Sequence, residues 1–113
     1  MHEMSLAEGV IQLIEDSARQ NNFTRVKTVW LEIGRLAGVE AEAMRFCFEA
    51  VARGGIAAGA SLEIVETPGQ GRCGECRETV EVGERYAPCP KCGGYFVEIL
   101  GGAEMRVKEL EVE

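Results

Sequence analysis

Four of the five cysteines lie in one short segment, as Cys73-x2-Cys76-x12-Cys89-x2-Cys92. Each C-x2-C pair can place two thiolates about 2.3 Å from one ion, because a tight turn follows its first sulfur. Gly74 sits inside the first turn, Pro90 stiffens the second, and Gly93-Gly94 follows it. Between the pairs, Thr79 to Tyr86 is long enough for a short hairpin. The only apolar material in reach is Val80, Val82, Tyr86, Phe96 and Val97, too little to fold on, so the segment needs a staple. Cys73, Cys76, Cys89 and Cys92 are therefore expected to bind Zn2+. Four thiolates leave no open position, which makes the site structural rather than catalytic. The rival readings are two disulfides or a redox C-x-x-C. A thioredoxin-like motif would carry one pair at a strand–helix junction, not two matched pairs.

The rest of the composition narrows the class. A chain of 113 residues is one small domain, or one domain with a satellite, and its core is modest. It is 46% hydrophobic and 27% charged, which is globular rather than disordered. The formal charge is −7; four thiolates and one zinc ion add −4 and +2, giving −9. That argues against a basic surface for nucleic acid. No apolar run approaches the roughly 20 residues of a membrane span. The amino terminus has neither the basic region nor the apolar stretch of a secretory signal. A cytoplasmic location is expected, where cysteines serve as metal ligands more often than as disulfides.

Along the chain, residues 5 to about 21 read as a helix opened by a Ser5–Glu8 capping box. Leu6, Val10, Leu13 and Ile14 recur at helical spacing, and Asn21-Asn22 is a left-handed stop. Residues 25 to 33 read as a strand with Val29, Leu31 and Ile33 on one face and Val26 and Trp30 on the other. Gly34 and Gly38 bracket a turn. A second helix is expected from about Glu40 to Arg53, burying Ala41, Met44, Phe48, Val51 and Ala52. Cys47 adjoins that stripe and reads as core. Ser61 to Glu66 is a second strand. Pro68-Gly69-Gln70-Gly71 reads as a hinge, and Gly101-Gly102 as a second break. Residues 103 to 111 form the last strand, with a bulge near Lys108–Glu109 where the apolar parity shifts. The expected class is α+β: a small three-stranded mixed sheet with two helices, plus an inserted zinc-ribbon-like module. The division is residues 1–69 and 101–113 for the α/β domain, and 70–100 for the module.

Met1-His2-Glu3 needs separate treatment. His2 is the only histidine. From composition alone it is a frayed terminal residue. Its position also permits chelation: a free Met1 amine and the amide nitrogen of residue 2 close a five-membered ring, and that amide and imidazole Nδ1 close a six-membered one. Planar nitrogen ligands suit Ni(II) or Cu(II). Met1 is expected to persist, since methionine aminopeptidases generally spare Met before a bulky residue. The set stops at three nitrogens, so a fourth ligand must come from Glu3 or another molecule. An incomplete set suits a site that releases its metal.

Met1-His2-Glu3 before a helix resembles the start of the HypA/HybF family of hydrogenase maturation nickel metallochaperones. The similarity continues through Glu32-Ile33-Gly34-Arg35-Leu36, Val39, Phe46-Cys47-Phe48, Ile56-Ala57-Ala58-Gly59-Ala60 and the two cysteine pairs, and so covers essentially the whole chain. The resemblance implies a nickel-binding domain and a zinc domain. It implies nickel delivery to the [NiFe]-hydrogenase large-subunit precursor, in company with a maturation GTPase, and in some members service to urease maturation. It makes His2 the essential nickel ligand, with Glu3 in support. Some members use a further histidine near the zinc domain; this chain has none.

An enzyme is a weak alternative: there is no Ser–His or Cys–His pairing, no phosphate loop and no open zinc position. The stronger alternative is a zinc-ribbon adaptor for protein or nucleic acid with no nickel role. A monomer or weak homodimer is expected.

Overall fold

A computed structural model describes residues 2–113. The elements run α1 (His2–Asn21), β1 (Val26–Gly34), α2 (Ala41–Ala52), β2 (Ser61–Thr67), β3 (Gly69–Cys73), β4 (Thr79–Val82), β5 (Val97–Gly101) and β6 (Met105–Val112). They form two helices and two three-stranded sheets, ordered β2-β1-β6 and β4-β3-β5. The α+β class and the return of the last strand to the first sheet are as expected. The chain divides into two compact units, one of the stretch ending at Leu31 with Val39–Ile64 and Val107–Glu113, the other of Glu32–Gly38 and Val65–Arg106.

In the first unit α1 packs on α2. α1 buries Ala7, Val10, Ile14 and Ala18, a stripe of three- and four-residue steps. Leu13 was expected in this stripe but is half exposed, because it lies about 100° of helical rotation from Ile14. The helix also begins earlier than the Ser5–Glu8 signal indicates: Ser5 lies within its first turns, and Glu3 is the acid that meets the positive end. Asn22 ends it at φ 58, the expected left-handed stop. α2 buries Met44, Cys47, Phe48 and Ala52. Val26, Val29, Leu31, Ala57 and Leu62 are buried in the same unit. Each large side chain buried there contributes about 1.5–3 kcal/mol. Cys47 is core, as its setting predicts. In β6 the half-buried residues are Met105 and Val107, then Leu110, so the expected shift of parity occurs within one continuous strand.

The second unit departs further from expectation. The segment read as a hinge is β3, the central strand of an antiparallel sheet. Its glycines are there for close approach. A Cβ on Gly69 would strike the Val82 carbonyl and the Leu36 side chain, and one on Gly71 would strike Val97. Tyr86 and Phe96, expected in the module's core, are exposed. The core is Leu36, Cys73, Val80, Val82 and Cys89, with Val97, Ile99 and Ala103 packed against it. Leu36 comes from the turn after β1. Two arginines fix it: Arg35 Nε donates to the Gly83 carbonyl (3.1 Å), and Arg85 Nε donates to the Leu36 carbonyl (3.1 Å).

Candidate metal centres

Both cysteine turns repeat one hydrogen-bond plan. The Arg77 amide donates to the Cys73 carbonyl (2.9 Å), and the Cys73 amide to the Glu78 carbonyl (3.0 Å). Sixteen residues on, the Gly93 amide donates to the Cys89 carbonyl (2.8 Å) and the Cys89 amide to the Gly94 carbonyl (2.7 Å). The residue four past the first cysteine is left-handed in both, Arg77 at φ 62 and Gly93 at φ 78. Gly93 adopts this without cost; Arg77 does so against a preference of about 1–2 kcal/mol. The folded turns bring all four Sγ atoms within 4.8 Å of one another.

Cys73 and Cys92 sulfurs are 3.5 Å apart and those of Cys76 and Cys89 are 3.8 Å apart. Four thiolates about 2.3 Å from a tetrahedral ion have edges of about 3.8 Å. The spacing fits a zinc site and is far from the roughly 2.05 Å of a disulfide. Among the described residues this is the only cluster of three or more ligand side chains.

The protein's own dipoles already sort the thiols. Cys73 is lowered to about 7, first by the Cys76 amide donating to its sulfur and further by the Glu75 amide, against the opposing effect of burial. Cys89 is lowered in the same way by the Cys92 and Lys91 amides. At Cys76 the Glu78 amide pulls down, but burial and the neighbouring Cys73 and Cys89 sulfurs outweigh it. At Cys92 the Gly94 amide is likewise outweighed by Cys73, burial, Cys76 and Cys89, which push it up to about 12. The first cysteine of each turn receives two amides and the second one. Four thiols this close cannot all ionise without a cation, and a divalent ion supplies what the amides do not.

The amino-terminal residues are arranged differently. Met1 lies outside the described residues. His2 begins α1, with a side chain 57% exposed. Its Nδ1 lies 3.7 Å from Glu3 Oε2, a span that one ion with bonds of about 2.0–2.2 Å can bridge. Glu3 is only 15% exposed, and its Oε2 accepts the Glu40 amide (3.2 Å). Glu40 in turn caps α2, accepting the amides of Glu42 (3.2 Å) and Ala43 (2.7 Å). The Glu40 amide, and after it Glu3's own amide, hold the Glu3 carboxyl below its ordinary range. Residues 2, 3 and 40 are thus brought together, a link no local signal shows. The Leu36 anchor was missed too, although Arg35 and Leu36 belong to the Glu32–Leu36 run singled out above.

The comparisons with known proteins agree along the full length. Residues 1–112 match the family model described as hydrogenase/urease nickel incorporation, metallochaperone, HypA. The chain is 63% identical to the hydrogenase maturation factor HypA of Albidiferax ferrireducens and 61% identical to that of Dechloromonas aromatica, each over all 113 residues of both chains. Its fold is similar to the solution structure of the Ni metallochaperone HypA from Helicobacter pylori. The TM-score there is 0.71 at 27% identity, covering 97% of this chain and 96% of that one.

Proposed function

The chain belongs to the HypA family of hydrogenase and urease nickel-incorporation metallochaperones, which are not enzymes, and from that premise we propose that it carries Ni(II) on its amino terminus. The ligands in this reading are the Met1 amine, the amide nitrogen of residue 2 and His2 Nδ1, with Glu3 in support. The observation that carries it is the exposed His2 imidazole beside a Glu3 carboxylate that is fixed by the Glu40 amide. The first amides of a helix have no preceding carbonyl to bond, so metal binding there breaks no helical hydrogen bond. The helix dipole repels a cation at that end. A deprotonated amide and the Glu3 carboxylate offset the repulsion, and what remains favours release.

The nickel goes to the [NiFe]-hydrogenase large-subunit precursor in the cytoplasm, with a maturation GTPase as co-worker; urease maturation proteins are a further class of recipient. Cys73, Cys76, Cys89 and Cys92 hold structural Zn2+, which shapes the second unit and does not move. Calorimetric titration of nickel into zinc-loaded protein with a native amino terminus tests this, alongside His2→Gln. Tight binding is expected in the parent and absent in the variant, with unchanged circular dichroism. Equal binding in both would overturn the reading and leave a zinc-ribbon adaptor as the better one.

A further inference from the structure

Arg72 and Arg77 flank the first cysteine pair, and neither guanidinium has an acceptor among the described residues. Elsewhere Arg19 and Arg106 find carboxylates, and Arg35, Arg45 and Arg85 find backbone carbonyls. Arg77 also holds the left-handed position of its turn, at φ 62, where the twin turn has Gly93 at φ 78. Glycine at 77 would remove the steric cost of that backbone and forfeit only the side chain. Strain kept for a side chain that bonds nothing inside the chain points to a contact outside it.

The two side chains share a cleft of ≈ 360 Å³ with Cys73, Gly74, Phe96 and Glu98. That volume exceeds the lower bound of about 300 Å³ for sites that take a small molecule. Three segments build it. Arg72 comes from the outward side of β3, where its neighbours Gly71 and Cys73 are buried. Arg77 comes from the turn that closes on the Cys73 carbonyl. Phe96 is fixed by its own carbonyl, which accepts the Gly74 amide (2.7 Å), and its ring is 74% exposed. Glu98 stands opposite Arg72 in the β3–β5 register, yet the two make no ion pair. Two guanidiniums against one carboxylate leave the cleft one positive charge, on a chain of formal charge −7. The apolar Phe96 wall beside it focuses that field.

We propose that Arg72 and Arg77 form an oxyanion site that takes a carboxylate or phosphate group between their two guanidiniums. A planar guanidinium offers paired N–H donors that match either group, and such charged hydrogen bonds are roughly twice as strong as neutral ones. The cysteine sulfurs do not occupy these donors: backbone amides serve the sulfurs, and no guanidinium bonds one among the described residues. The rival role for the two arginines is to offset the negative charge of the zinc-loaded sulfurs, and it gives a different experimental result. The site lies wholly in the second unit and uses neither His2 nor Glu3, so it stands apart from nickel carriage.

The test uses the full zinc-loaded chain, with inorganic phosphate and acetate as probes and chloride at matched ionic strength as control. Arginine Nε–H resonances and zinc content are followed together. The Arg72 and Arg77 signals are expected to shift saturably with at least one probe, with a dissociation constant on the order of 1 mM, and not with chloride. Tighter phosphate assigns a phosphate group; tighter acetate assigns a carboxylate. Arg77→Gly copies the twin turn and relieves its backbone, so this variant is expected to fold and keep its zinc while binding weakens by about tenfold or more. Arg72→Gln is expected to weaken it similarly, whereas His2→Gln leaves the shifts unchanged. Shifts no larger than those with chloride, or undiminished binding in both arginine variants, would overturn the proposal. A parent that binds neither probe, with faster zinc loss to a chelator in both arginine variants, would also overturn it and assign the guanidiniums to the sulfurs.

Discussion

The two candidate metal sites are built in opposite ways. The cysteine cluster is closed: four ligands of one kind on two copies of the same turn, with backbone amides aimed at sulfur and Cys73 and Cys89 buried in a core. The amino terminus is open: one exposed imidazole, a carboxylate borrowed from a helix-capping arrangement, and an incomplete ligand set. A closed site contributes folding energy and keeps its ion. An open site contributes little to the fold and can exchange. On the proposed reading, the closed site is where a metal would serve structure and the open one where it would be cargo.

The sharpest way to break this contrast is Cys76→Ser. Structural zinc of this kind is worth about 10–16 kcal/mol in small modules, so the variant is expected to lose zinc and order throughout β3–β5 while helical circular dichroism persists. Metal analysis and amide spectra check it; one retained zinc per chain with an ordered β3–β5 sheet would mean that the ligand set is wrong. Leu36→Ala comes next. It removes a buried side chain that packs with Cys73 and Cys89 and should cost about 2–5 kcal/mol. Denaturant melts read through amides of the second unit should record that loss, whereas nickel affinity is expected to hold.

Glu3→Gln addresses the open site. The neutral amide keeps the shape and loses the charge, so nickel affinity is expected to fall by roughly 10–100-fold, the usual effect of a supporting partner, while zinc content is unchanged. An unaltered nickel titration would remove Glu3 from the site. The smallest effect is that of pH on the metal-free protein. The Glu40 amide holds Glu3 below its ordinary carboxyl range, so the contact contributes above that range and is lost as pH falls through the lowered value. A carbon-detected titration of Glu3 should show a midpoint below that of an unstructured glutamate, with a slight loosening of the α2 cap beneath it. A normal midpoint would dissolve the Glu3–Glu40 link.

Much of the chemistry was legible in the residues because it is local. The spacing of the cysteines dictates how each turn folds around its first sulfur. The helical stripes follow the 3.6-residue period, and Asn22 stops α1 where a left-handed residue is tolerated. Cys47 between Phe46 and Phe48 reads as core and is core. What misled was local chemistry serving a distant purpose. Gly69 and Gly71 look like a hinge and are the tightest part of a central strand, since nothing in their neighbours reveals that Leu36, Val82 and Val97 will press on them. Tyr86 and Phe96 look like core and are surface, because Leu36, Ile99 and Ala103 arrive from elsewhere and fill the space.

The sequence by itself therefore determined the spacing of the cysteines, the left-handed stop of α1 and the helical faces, all governed by geometry within a turn or two of chain. Only the tertiary structure decided that Glu3 is held by the Glu40 amide, that Leu36 completes the core around the cysteines, and that Tyr86, Tyr95 and Phe96 stay exposed. Those outcomes depend on which segments meet. Long-range packing sets such meetings through the exclusion of water and the filling of volume, and no short pattern encodes them.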